Sequence, residues 1–209
     1  MVKIKELVMP ESLDEAYELF IAKRSSRIIG GGAFLRLGNA TILKGVDLSK
    51  LALDYINQYE DKIEIGAMTT LYDVETSPIL KDNFSGALSK CVKNIVGVQL
   101  RNIATIGGSV VGKYGFSDIL PVLLALDATL IFYKQGEISL ENYLNFENFQ
   151  RDILEKIVIK KDKKASFQMM RNSDSDFSIL NACVCFDDRG YTVVVGSTPG
   201  VAKICKKNK

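Results

Sequence analysis

Apolar and polar positions along this chain repeat with two periods, and each change of period marks an element. Ala16, Tyr17, Leu19, Phe20 and Ile21 recur at helical spacing behind Ser12-Leu13-Asp14-Glu15, which has the form of a capping box, so a helix is expected that ends near Lys23-Arg24. Arg27-Ile28-Ile29 reads as a strand, and Gly30-Gly31-Gly32-Ala33-Phe34-Leu35-Arg36-Leu37-Gly38 as a turn with a short amphipathic segment. Thr41 to Leu43 and Gly45 to Leu48 are short extended pieces. Lys62 to Ala67 alternates as a half-buried strand does. Thr70 caps a short helix that stops before Pro78, and from Phe84 the positions Ala87, Leu88, Cys91, Val92 and Ile95 predict a helix of about three turns.

Ile103 to Ile106 reads as a strand that breaks at Gly107-Gly108. Ser117 then caps a helix whose first residue is Asp118, an apolar rod from Ile119 to Leu126 that precedes a strand from Thr129 to Tyr133. Gly136 to Leu140 is a strand turn, Glu141 to Phe146 a short helix and Ile153 to Ile159 a strand. Phe167 to Met170, Ile179 to Phe186 and Tyr191 to Val195 form an antiparallel meander, with Asp187-Asp188-Arg189-Gly190 as a hairpin turn. The pattern is that of an α+β chain with two glycine turns and a C-terminal meander. It contains no internal repeat and no low-complexity segment.

Composition narrows the chemistry. The chain has 209 residues, 47% of them hydrophobic, with a mean hydropathy of +0.09, which suits a globular core rather than disorder. Lys+Arg 27 against Asp+Glu 25 leaves a net charge of +2. The basic runs Lys160 to Lys164 and Lys206 to Lys209 have no interleaved aromatics and read as solvated turns or tails, so no nucleic-acid partner is expected. No apolar run approaches the roughly eighteen residues of a membrane span. The N-terminus carries Glu6 and Pro10 in place of a signal-peptide core, which makes the cytoplasm the expected location. Cys91, Cys183, Cys185 and Cys205 show no metal-ligand spacing. Histidine is absent, which removes Ser-His-Asp hydrolysis, Cys-His proteolysis and His-ligated zinc together. No catalytic side chain and no metal ligand is expected, and any difficult chemistry must come from a bound cofactor.

The candidate chemistry therefore lies in the glycines. A double or triple glycine after an apolar run lets main-chain N–H groups approach a bulky anion without a Cβ in the way. Neither turn has the Rossmann G-x-G-x-x-G spacing, since Leu35 stands where the third glycine belongs, and no G-K-S/T forms a P-loop.

Several segments, in order, resemble the FAD-binding subunit of the molybdenum hydroxylases, of xanthine dehydrogenase and carbon monoxide dehydrogenase type. Ile28 to Leu35 corresponds to the family's strand and A-G-G-T-D-L-L. Val46-Asp47-Leu48-Ser49-Lys50-Leu51 resembles its V-D-L-s-x-L, and Ile63 to Leu71 its I-G-A-x-T-T-L. Gln99 to Asp127 is similar to q-I-R-N-x-A-T-I-G-G-N followed by S-D-x-x-P-x-L-L-A-L-D-A. Arg171, Asp176, Phe177 and Ala182 match a later R-x-x-x-D segment, and the likeness runs to about Pro199.

The resemblance implies a PCMH-type FAD-binding fold of two α/β subdomains, residues 1–55 and 56–160, followed by a short, truncated antiparallel C-terminal sheet unit at 161–209. It implies a non-covalent FAD whose diphosphate lies between the two glycine turns and accepts from main-chain amides of both. The residues it places there are Ile29, Gly30, Gly31, Gly32, Ala33, Phe34 and Leu35 in the first turn, and Thr105, Ile106, Gly107, Gly108 and Ser109 in the second. Arg101 lies nearby, Asp118 towards the adenosine, and Leu154 or Ile153 on the isoalloxazine. It further implies a molybdopterin-binding subunit and a [2Fe-2S] subunit as partners, and electron relay to NAD or another acceptor. Ala33-Phe34 stands where the family carries polar side chains, which leaves the amides alone to hold the phosphates. The alternative function is a reduced relative that serves as a binding or assembly module for a molybdenum enzyme. A covalent-flavin oxidase of the vanillyl-alcohol type is disfavoured, because that group often tethers its flavin through His.

Overall fold

A computed structural model of the chain describes residues 2–174, 176–188, 190–198 and 200–208. Its first unit is a parallel sheet under one helix. Strands β1 (Lys3–Val8), β2 (Ser26–Ile29) and β3 (Thr41–Asp47) pair in the order β1-β3-β2, with helix α1 (Leu13–Ile21) between the first two in sequence. Ser12 caps α1 as expected, its Oγ accepting from the Glu15 amide at 3.2 Å. Glu15 reaches back to the Glu11 amide, at 2.9 Å, one residue earlier than a capping box requires. Ala16 of α1 is buried with Val46, Leu48, Leu53 and Ile153. The two extended pieces expected around Thr41 to Leu48 are a single strand.

The second unit is an antiparallel sheet of five strands with short helices against it. Strands β4 (Ile56–Gln58), β5 (Lys62–Gly66), β6 (Thr129–Phe132), β7 (Gly136–Ser139) and β8 (Leu154–Lys160) pair in the order β4-β5-β8-β6-β7. Between β5 and β6 come α2 (Leu71–Thr76), α3 (Pro78–Asp82), α4 (Ala87–Val92), α5 (Val98–Arg101), α6 (Ile106–Val111) and α7 (Ile119–Ala125), and α8 (Leu140–Asn145) follows β7. Strand β5 is buried on both faces rather than half-buried: Glu64 is tucked in between Lys62 at 2.8 Å and Lys156 at 2.7 Å. Burial raises the Glu64 carboxyl, but hydrogen bonds from Lys156 and Lys62 outweigh it and hold the group below its ordinary value.

The third unit is the expected meander with an extra strand: β9 (Lys164–Met170), β10 (Leu180–Asp187), β11 (Gly190–Gly196) and β12 (Lys203–Asn208), paired β12-β11-β10-β9. Asp187 pairs with Gly190 across the hairpin. Arg189 of that turn and Pro199, where the family likeness ends, lie outside the described residues. Helix α7 is buried along its whole length, and one apolar core runs from Ile63, Leu130 and Ile157 of the second sheet through Leu120 and Leu123 of α7 to Phe167, Cys183 and Val194 of the third. The third sheet is therefore built onto the second unit by a shared core.

Four sequence readings are corrected. The predicted three-turn helix from Phe84 is a 3-10 turn, Phe84–Gly86, and then only α4, because Phe84, Ser85 and Gly86 all have positive φ and interrupt the helix. The predicted strand Ile103 to Ile106 is absent. Thr105 caps α6, its Oγ1 accepting from the Gly108 amide at 3.2 Å, and Gly107-Gly108 is the first turn of that helix rather than a strand-ending turn. The rod after Ser117 begins at Ile119 and not at Asp118, although Ser117 Oγ still caps it, accepting from the Ile119 and Leu120 amides. The basic run read as a turn or tail, Lys206 to Lys209, belongs to strand β12 as far as Asn208, and Lys209 lies outside the described residues.

Candidate functional site

Where the first and second units meet, the chain leaves a cavity of about 630 Å³, within the size range of small-molecule sites. Both glycine turns line it. Gly30, Gly32, Ala33, Phe34 and Leu35 do so from the loop after β2; Thr105, Gly107, Gly108 and Ser109 do so from the start of α6. One side chain fastens the turns together: Thr105 Oγ1 donates to the Gly30 carbonyl at 3.2 Å while accepting from the Gly108 amide at 3.2 Å.

Each turn contains a glycine that contact forbids from being anything else. A Cβ on Gly31, whose φ is +69°, would stand 1.5 Å from the Ile103 carbonyl oxygen. A Cβ on Gly107 would stand 2.5 Å from the Ala67 carbonyl oxygen. Both are closer than non-bonded atoms can approach, so the turns are pressed flush against their neighbours.

The turns differ in what they offer a ligand. In the second, every amide from Ile106 to Ser109 is already spent: Ile106 on Thr69 O, Gly107 on Ala67 O, Gly108 on Thr105 Oγ1 and Ser109 on Thr105 O. In the first, the main-chain N–H groups of Gly31, Gly32, Ala33 and Phe34 donate to no acceptor among the described residues. Successive free N–H groups around left-handed residues, here Gly31 and Gly32, make a concavity for an anion. Of the amides expected to serve the ligand, only those of the first turn are left without an acceptor among the described residues.

The other expected site residues divide. Leu154, beside Ile153, lines the cavity. Ile29 is buried beneath the first turn and Ile106 belongs to the core, so neither reaches the cavity. Arg101 turns away: its Nε donates to Glu75 at 2.8 Å and its Nη1 to the Ile95 carbonyl at 3.2 Å. Asp118 borders the cavity but its carboxylate is committed. It pairs with Arg171 and accepts from Ser178 Oγ at 2.5 Å and Asn181 Nδ2 at 2.7 Å, which ties the start of α7 to the third sheet. Asp152 is likewise taken up by the amides of Lys134, Gln135 and Ile153. Asp118 and Asp152 are thus placed to hold the walls and not to move protons, while Asp176, which also lines the cavity, accepts through Oδ1 from the Phe177 amide at 2.8 Å.

Sequence reasoning missed an aromatic wall. Phe34, Tyr114, Phe116 and Phe177 all line the cavity; Phe34 lies 4.3 Å from Tyr114 and 5.3 Å from Phe116, and Phe116 lies 4.2 Å from Phe177, ring centre to ring centre. Tyr114 and Phe116, flanking Gly115 just before the Ser117 cap, were the one local signal; the other two rings arrive from 82 residues before and 61 after Phe116 in separate segments.

The profile of the family described as FAD binding domain in molybdopterin dehydrogenase matches residues 3–161. An uncharacterized protein of Escherichia coli strain K12, YgfM, is 28% identical over 192 residues, 88% of this chain and 71% of that protein. The nicotinate dehydrogenase FAD-subunit of Eubacterium barkeri is 25% identical over 210 residues, 88% of this chain and 70% of that one. Among solved structures, a chain of carbon monoxide dehydrogenase from Hydrogenophaga pseudoflava superposes with a TM-score of 0.85 at 20% identity, covering 95% of this chain and 76% of that chain, and so shares the fold. The free amides of the first turn, the two flush glycine contacts and the size of the cavity suit a diphosphate-bridged dinucleotide such as FAD.

Proposed function

We propose that this chain, which belongs to the family of FAD binding domains in molybdopterin dehydrogenases and takes FAD as its cofactor, relays electrons between a molybdenum and iron–sulfur hydroxylase and an acceptor such as NAD. Bound FAD supplies the one- and two-electron chemistry. The chain's own residues bind and orient it. The amides of Gly31 to Phe34 would donate to the diphosphate; Thr105 keeps the two turns at a fixed separation; Ile153 and Leu154 exclude water from one flank. The observation that carries this reading is the run of four unspent N–H groups facing a second turn with none to spare.

Partners follow by the same reading: a molybdopterin-binding subunit and a [2Fe-2S] subunit, as the family likeness suggests. The division into 1–55, 56–160 and 161–209 is part of the proposal, supported by three sheets whose strands fall in those ranges. A cytoplasmic setting is supported by the free cysteines Cys91, Cys183 and Cys185, all buried. No helix among the described residues is long and apolar enough to cross a membrane.

The test is spectroscopic. Purified protein should show flavin absorbance, release FAD on heating at about one per chain, and, after anaerobic reduction, recover its oxidised spectrum on addition of NAD. Flavin that stays reduced with NAD but reoxidises with another acceptor would move the acceptor and keep the relay. Colourless protein that refuses added FAD would favour the assembly module instead.

A further inference from the structure

The C-terminal sheet is apolar on both faces. Its inward side chains, among them Cys183, Cys185 and Val194, are buried in the core shared with α7. Strand alternation puts Leu180, Ala182, Val184 and Phe186 of β10 on the other face, with Val195, Val193 and Tyr191 of β11 beside the last three in register. Met170 of β9 lies opposite Leu180, and the Phe186 and Tyr191 rings are 6.3 Å apart, centre to centre. Leu180 is 42% exposed, Phe186 55% and Met170 57%. An antiparallel sheet with one face in water ordinarily sets polar side chains on that face. A contiguous apolar patch there instead marks an interaction surface.

Shape and charge narrow what would cover it. Short side chains, Ala182, Val184, Val193 and Val195, make a half-buried floor in the middle, and longer ones stand at the two ends, Leu180 with Met170 and Phe186 with Tyr191. A floor between raised ends suits a helix better than a flat bilayer. In register, Lys164 lies beside Phe186, Lys203 beside Val195 and Lys206 beside Val193, and no outward position of the four strands carries a carboxylate among the described residues. Lys164 and Lys203 are exposed and form no ion pair among the described residues. A second copy pressed face to face would bring lysines and no anions to these lysines, so the charge disfavours self-association.

We propose that this outer face docks an amphipathic helix of a partner polypeptide, whose apolar stripe lies on Val184 and Val193 and whose flanks carry Asp and Glu to meet Lys164, Lys203 and Lys206. Apolar contact supplies the affinity and the lysines set the orientation. None of these residues lines the cavity, so the surface stands whatever the cavity holds.

The test pans the immobilised full chain with a phage-displayed library of helices that share a leucine stripe and have randomised flanks. The parent is compared with Phe186→Ser, Val184→Lys and Lys203→Glu, each checked for fold by circular dichroism. The parent should enrich helices with Asp and Glu on the flanks. A representative of these should lose about 10-fold or more in affinity for Phe186→Ser and Val184→Lys, and Lys203→Glu should move the selected flanks towards Lys and Arg. No enrichment, flanks without charge bias, or affinity unchanged in Phe186→Ser and Val184→Lys overturns the proposal. Sedimentation velocity and co-sedimentation with phosphatidylserine vesicles test the other occupants. A dimer or vesicle binding that Phe186→Ser abolishes assigns the face to a second copy or to a lipid surface, and overturns the acidic helix.

Discussion

The two glycine turns look alike in sequence and do different work. The first, after β2, turns through left-handed Gly31 and Gly32 and leaves four N–H groups without acceptors among the described residues. The second lies in the opening turn of α6 with ordinary φ values, and all its amides are consumed by Thr69, Ala67 and Thr105. One turn has amides to give and the other has none. On the proposed reading the cradle is asymmetric: the first turn's nest would supply the hydrogen bonds and the second turn a smooth surface against it.

Three substitutions test this contrast. Gly31→Ala should do most damage, since its Cβ collides with a carbonyl and its φ is left-handed; a loss of more than about 4 kcal/mol, read by denaturant unfolding, is expected, with FAD lost alongside. Gly108→Val separates binding from folding. A Cβ there meets Thr105 Oγ1 at 3.1 Å and Gly30 O at an ordinary 3.6 Å, so stability should change by about 1 kcal/mol while FAD affinity falls by about two decades or more. If FAD still binds stoichiometrically, the second turn is not a wall of the site. Thr105→Val should cost about 1 to 3 kcal/mol through the lost cap and the unpaired Gly30 carbonyl, and Thr105→Ser should restore most of it. Equal melting temperatures for the parent and Thr105→Val would show that the turns hold together without this bond.

Much of the architecture was legible. The caps at Ser12, Thr70 and Ser117, the meander and the glycine positions all depend on residues a few places apart, and local chemistry decides them. Three missed edge strands, β1, β4 and β12, show the limit. All three pair through the main chain; β1 is exposed at most positions, β4 has only three residues, and β12 carries lysines at Lys203, Lys206 and Lys207, so none shows the alternation that marks a half-buried strand. The family likeness named the cofactor, which residue patterns by themselves did not.

The site was legible as positions and not as roles. Arg101 and Asp118 were expected near the ligand on the family likeness, yet Glu75 and Arg171 pair with them, and those partners lie 26 and 53 residues away. The aromatic wall was invisible for the same reason. What the amino-acid order determined by itself was where the backbone could bend tightly and where helices could start, because those are costs borne by one residue and its neighbours. What only the folded chain decided was which amides, carboxylates and rings remained uncommitted. A donor is free or spent according to what distant segments bring to it, and no local pattern encodes that.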